Sequence, residues 1–167
     1  MKLYFLGLIG YTCVFLVNLV TFFLSRRAPI DILANIIFLI GLAALVLYYY
    51  QMTFHGITEE NHRRLKKLRI TAHSTIALFF LLILLPFSKS AFKYFYTFGL
   101  LGHLLFLFEV ITKNDQLLGE LMIALFFICM THQNIQHSVV KTIGPLLLSI
   151  YFIIAFSVNL YEDIYKL

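Results

Sequence analysis

Six apolar runs, each close to 20 residues long, account for most of this 167-residue chain. They fall at about 3–24, 31–50, 69–87, 92–112, 117–135 and 142–161. A stretch of ~20 apolar residues is what a helix needs to cross the hydrocarbon core of a bilayer. The breaks between the runs are short and polar, such as Ser25-Arg26-Arg27-Ala28-Pro29, Ser88-Lys89-Ser90 and Lys113-Asn114-Asp115-Gln116. No repeat or long linker divides the chain. The expected fold is therefore all-α: a polytopic transmembrane bundle of about six spans, forming one domain over residues 1–167.

Composition supports the bilayer as solvent. Charged residues make up 13% of the chain and hydrophobic residues 61%. A soluble domain carries about 25% charged residues, so this chain has too few polar side chains to coat a globule. The net charge of +5 does not indicate nucleic-acid binding, because most of it lies in one connector at 63–69, where membrane proteins place basic residues. Cys13 and Cys129 lie in apolar runs without metal-site spacing and read as small apolar residues. The first run reads as a span rather than a cleaved leader. It is long enough to cross, and no small-residue cleavage motif follows it.

Thr58-Glu59-Glu60 has the pattern of a helix cap followed by acids in the first turn. The third helix should start near 59 and run to about 85, which is ~40 Å at 1.5 Å per residue. Six spans place both termini on one side, with the 51–68 and 113–116 connectors. That side holds eight basic residues, Arg63, Arg64, Lys66, Lys67 and Arg69 among them, against five on the other. The excess predicts cytoplasmic termini. The ten tyrosines sit near the ends or outer turns of the spans and read as an interfacial belt.

Histidine is the residue here that most suggests chemistry, because imidazole binds metals and haem and carries protons. His62 and His73 are eleven residues apart, three turns of one helix stripe and roughly 16 Å by the helix rise. His62 also fits a solvated helix end, and His73 an interhelical hydrogen bond. His103 sits in mid-span beside Gly99 and Gly102. Those glycines make room for either a flat macrocycle or a neighbouring helix. His132 and His137 flank a polar, uncharged boundary, 131–137, that resembles a pocket lining. Glu109 and Glu120 lie at a depth where they could join His73 as a metal-binding set. Pairing with Lys113 or snorkelling to the interface is the plainer alternative. Asn18, Asn35 and Asn159 read as interhelical hydrogen-bond glue. No phosphate loop, zinc-protease motif or Ser/His/Asp pattern is recognisable.

Several short motifs carry a family resemblance. They are Asn35-Ile36-Ile37-Phe38-Leu39-Ile40-Gly41, the helix entry His62-Arg63-Arg64-Leu65-Lys66-Lys67, Leu100-Leu101-Gly102-His103, and His137 before Pro145 and Tyr161. The chain resembles a group of small bacterial membrane proteins of uncharacterised-domain type, some linked to maturation of haem–copper terminal oxidases. That group has four core helices where this chain reads as six. The resemblance implies an accessory or maturation factor of a respiratory membrane complex in the bacterial cytoplasmic membrane. It also implies other membrane subunits as partners, and haem or copper contact by His62, His103 and His137. Arg63, Arg64 or Lys66 would then lie near haem propionates. Two alternatives stay open. One is a purely structural accessory subunit without a cofactor. The other is a membrane-embedded lipid- or quinone-modifying enzyme using Glu109 and His73 as acid–base groups.

Overall fold

The computed structural model describes residues 2–24, 29–84, 93–112 and 117–165. They form six helices: α1 (Lys2–Leu24), α2 (Pro29–Phe54), α3 (Glu59–Leu84), α4 (Lys93–Thr112), α5 (Leu117–Ile135) and α6 (Val139–Tyr165). Five are long and apolar enough to cross a membrane. The apolar stretch of α4, Phe95–Val110, is shorter. The chain is thus an all-α integral membrane bundle. The breaks at 25–28, 85–92 and 113–116 lie outside the described residues.

Sequence chemistry sets the helix ends. Thr58 and Asn61 cap α3 reciprocally: Thr58 Oγ1 accepts from the Asn61 N–H at 3.2 Å, and Asn61 Oδ1 accepts from the Thr58 N–H at 2.8 Å. This is the geometry of a capping box with Asn in place of Glu or Gln. Before it, Gly56 turns the chain out of α2 at φ +64°, with its N–H on the Gln51 carbonyl at 3.0 Å. Glycine reaches that left-handed conformation without a Cβ penalty. In α6, Pro145 has no N–H to offer the Lys141 carbonyl one turn earlier. Asn134 Nδ2, from the end of α5, donates to that carbonyl at 3.3 Å. The polar boundary at 131–137 therefore does structural work: part of it replaces a backbone bond that proline removes.

Among the described residues, each helix packs against its two neighbours in the chain, and α1 closes the ring against α6. Across the middle, aromatic side chains bridge helices that do not adjoin. Tyr11 of α1 meets Phe127 of α5 with ring centroids 6.1 Å apart, Phe80 of α3 meets Phe126 of α5 at 5.1 Å, and Phe106 of α4 meets Phe152 of α6 at 6.1 Å. Large aromatic rings suit this task because they fill a wide centre and pack edge to face. The outer surface is apolar, with Leu16, Val20, Ile40, Leu81, Leu104 and Ile153 all exposed, as lipid contact requires.

Two expectations need correction. Tyr11, Tyr49 and Tyr151 are buried in the centre; they do not belong to an interfacial belt. Asn18 and Asn35 donate to carbonyls of their own helices, those of Val14 and Asp31. Asn159 alone of the three makes the interhelical bond expected of it, to Glu120. Gly99 and Gly102 make room for neighbouring helices. A Cβ at Gly99 would stand 2.6 Å from the Phe80 ring, and one at Gly102 would stand 2.6 Å from the Ile123 side chain and 3.1 Å from its backbone nitrogen. Gly102→Ala is therefore expected to push α4 from α5 and cost roughly 1–2 kcal/mol. An unfolding midpoint equal to wild type in micelles would contradict this close approach.

Candidate functional site

Toward one end of the ring meet the first turns of α1 and α5, the C-terminal half of α2, and the interior turns of α3, α4 and α6 around Arg69, His73, Phe106 and Asn159. They enclose a chamber of about 380 Å³. This volume lies within the range of small-ligand pockets. Its polar lining comes from Arg69 and His73 on α3, Glu120 on α5 and Asn159 on α6. Four tyrosines, Tyr4, Tyr48, Tyr49 and Tyr151, add rings from three helices. The aromatic centre lies beyond it, so the chamber is a blind well and not an open pore.

The deepest polar contact joins α3 to α4. His73 Nδ1 and His103 Nδ1 are 2.9 Å apart, and the two residues are 6% and 2% exposed. At that distance one Nδ1 donates its proton and the other accepts. The His73 ring also stacks on Phe106, with centroids 5.0 Å apart. One turn toward the mouth, Arg69 donates to Glu109 Oε2 at 2.6 Å, and its guanidinium stands 5.8 Å from the centre of the Tyr48 ring. Arg69 and His73 are four residues apart, so one helix face presents both.

Across the chamber, Glu120 is 5% exposed. Asn159 Nδ2 donates to its Oε1 at 2.8 Å. Its other oxygen, Oε2, is buried and has no hydrogen-bond partner among the described residues. Buried polar atoms are nearly always satisfied, so this oxygen is an open acceptor at the chamber wall.

The histidines expected from sequence separate into two kinds. His73 and His103 meet in the interior. His62, His132 and His137 are exposed, and His62 lines a smaller pocket of about 240 Å³ together with Lys66, Arg69 and Glu109. The structure does not gather His73, Glu109 and Glu120 into a metal set. Glu109 faces Arg69, Glu120 faces Asn159, and no group of three or more His, Cys, Asp and Glu side chains suited to a metal occurs among the described residues. Lys113, the partner expected for Glu109, lies outside those residues.

The two implied cofactors fit unequally. A haem held by two imidazoles needs ligand nitrogens on opposite faces, roughly 4 Å apart at ~2 Å per metal bond. His73 and His103 are in direct contact and leave no gap for a macrocycle. For a single copper ion, His73 and His103 would be the residues to hold it through their Nδ1 atoms, once the proton between them had left.

At the opposite end, a cavity of about 180 Å³ is lined by Asn18, Thr21 and Asn134 among others. Each of these three donates to a backbone carbonyl, so none awaits a partner. Sequence reasoning missed Arg69 and the four tyrosines as site residues. The Arg69–His73 spacing was the available signal. Comparison with known proteins gives no matching family model, no matching curated protein and no matching solved structure.

Proposed function

We propose that this integral membrane protein binds a small polar ligand, or the polar head of a lipid-like molecule, in the chamber between its helices. One observation carries the reading: Glu120, whose Oε2 is buried and unpartnered among the described residues, lines a chamber that also presents Arg69, His73 and four tyrosines. Polar and ionisable groups inside a membrane bundle are costly and cluster where function needs them. An apolar cavity with a few convergent polar groups is the usual form of a binding site.

Filling the chamber tests this. Ala155 lines it and is buried. In Ala155→Phe the added ring should occupy the space a ligand would take. Wild-type protein released from its own membrane into mild detergent should carry a bound small molecule in native mass spectrometry. The Ala155→Phe protein should lose most of it. Equal occupancy in the two proteins, or none in either, counts against the reading.

The buried histidine pair favours a second reading, in which the chain serves a respiratory membrane complex as an accessory or maturation factor. His73 and His103 would hold a copper ion in transit, beside partner subunits in the bacterial cytoplasmic membrane. Metal analysis of purified protein titrated with Cu(I) tests it. Near-stoichiometric binding that disappears in His103→Ala supports the role, and unchanged binding in that variant rejects the site.

A further inference from the structure

The chamber and its smaller neighbour lie side by side and differ in their charged lining. Tyr48, Met52, Ile57 and Arg69 line both. Glu109, the partner of Arg69, lines the smaller pocket, and Glu120 is the acid that lines the chamber. Its Oε2 lacks a donor among the described residues, and Tyr4 and Tyr151 line the same chamber. A carboxylate in a chamber that also presents tyrosine rings suits an ammonium group. The ammonium supplies the missing N–H and a charge for the carboxylate, and the rings attract cations through their faces.

The neighbouring pocket is the more basic of the two. Its lining includes Lys66 and His62 as well as the Arg69–Glu109 pair. One donor of Arg69 is committed to Glu109 Oε2, and a guanidinium has five. Lys66 is exposed, as are Arg63, Arg64 and Lys67 around it. A free organic cation would meet this basic rim unfavourably, whereas a phosphate would be drawn to it.

We propose that the two cavities together take a phosphate–ammonium zwitterion, the chemistry of an aminophospholipid head group, with the ammonium against Glu120 and the tyrosines and the phosphate toward Lys66 and Arg69. This rests on the chamber being a ligand site and assigns the class of ligand. The same chemistry occurs in a lipid or in a soluble phosphoamine.

The experiment is native mass spectrometry of the purified full chain in maltoside detergent. The probes are phosphatidylethanolamine, phosphatidylglycerol and soluble phosphoethanolamine. Wild type should prefer phosphatidylethanolamine over phosphatidylglycerol by about tenfold or more, the scale of one charge-assisted hydrogen bond. Glu120→Gln should bring the two lipids to near parity. Lys66→Gln, at an exposed position that folding does not depend on, should weaken both lipids by a similar factor and leave the preference intact.

Binding of phosphoethanolamine as tight as that of the lipid would identify a soluble source. Binding of the lipid alone would identify a membrane source, and both results support the assignment. A preference that survives Glu120→Gln in protein with a wild-type unfolding midpoint overturns it. So does equal binding of both lipids by wild type. In either case the chamber reading still stands if Ala155→Phe blocks binding. If wild type binds none of the probes and carries no molecule that Ala155→Phe excludes, the zwitterion and the chamber reading fall together.

Discussion

Arg69→Met is expected to lower the stability of the bundle by roughly 3–5 kcal/mol, the cost of taking one partner from a buried ion pair. The side chains of Arg69 and Glu109 are 21% and 10% exposed and meet at 2.6 Å. Their bond ties α3 to α4 near the chamber mouth. Removing the guanidinium takes from Glu109 the charge that meets it at 2.6 Å, where little water can replace it. The second half of the prediction concerns the pair. Glu109→Gln in the Arg69→Met background should recover much of the loss, because a neutral amide no longer needs the cation. Reversible unfolding in mixed micelles, run as a double-mutant cycle, measures the coupling. Strictly additive effects of the two substitutions would show that the contact contributes nothing between them.

The histidine pair should behave similarly on a smaller scale. His103→Leu removes one of two buried imidazoles and leaves His73 Nδ1 without that partner. A cost of about 2–3 kcal/mol follows, near the upper end for an unsatisfied buried polar group. Replacing both histidines by leucine should cost less than the sum of the two single changes, since no lone polar atom remains. A doubly substituted protein whose loss equals that sum would show that the two rings do not depend on each other.

Much of the architecture was legible in the sequence because bilayer length is a hard constraint. Runs near 20 apolar residues had to become helices, and Thr58 with its following acids marked the start of α3 at Glu59. The interior was less legible. In a chain that is apolar on all faces, the pattern does not say which stripe faces lipid and which faces the ring. Tyr11, Tyr49 and Tyr151 therefore looked like interfacial residues, although closing α1 against α6 places them at the centre. His73 and His103 were both recognisable as candidates, but their meeting depends on how α3 and α4 turn toward each other, and no spacing records that. Asn134 reads as pocket lining until Pro145 is seen to free the Lys141 carbonyl. Glu120 offered only its depth as a signal. Its unpartnered oxygen is a property of the packed ring.

These parts fit one physical account. The aromatic centre holds the six helices together, and among the described residues three polar contacts between helices lie at the chamber end. Arg69–Glu109 and His73–His103 fix α3 against α4, while Glu120–Asn159 fixes α5 against α6. The two rigid pairs stand on opposite sides of the chamber and present it with preset polar groups. Such preorganisation lets a cavity bind without first ordering its own side chains.

The most direct measurement is an experimental density map of the protein in lipid nanodiscs, at a resolution that shows bound lipids. Non-protein density is expected in the chamber, with a polar atom within hydrogen-bond reach of Glu120 Oε2. A chamber closed by its own side chains, with Glu120 satisfied from within the protein, would contradict it.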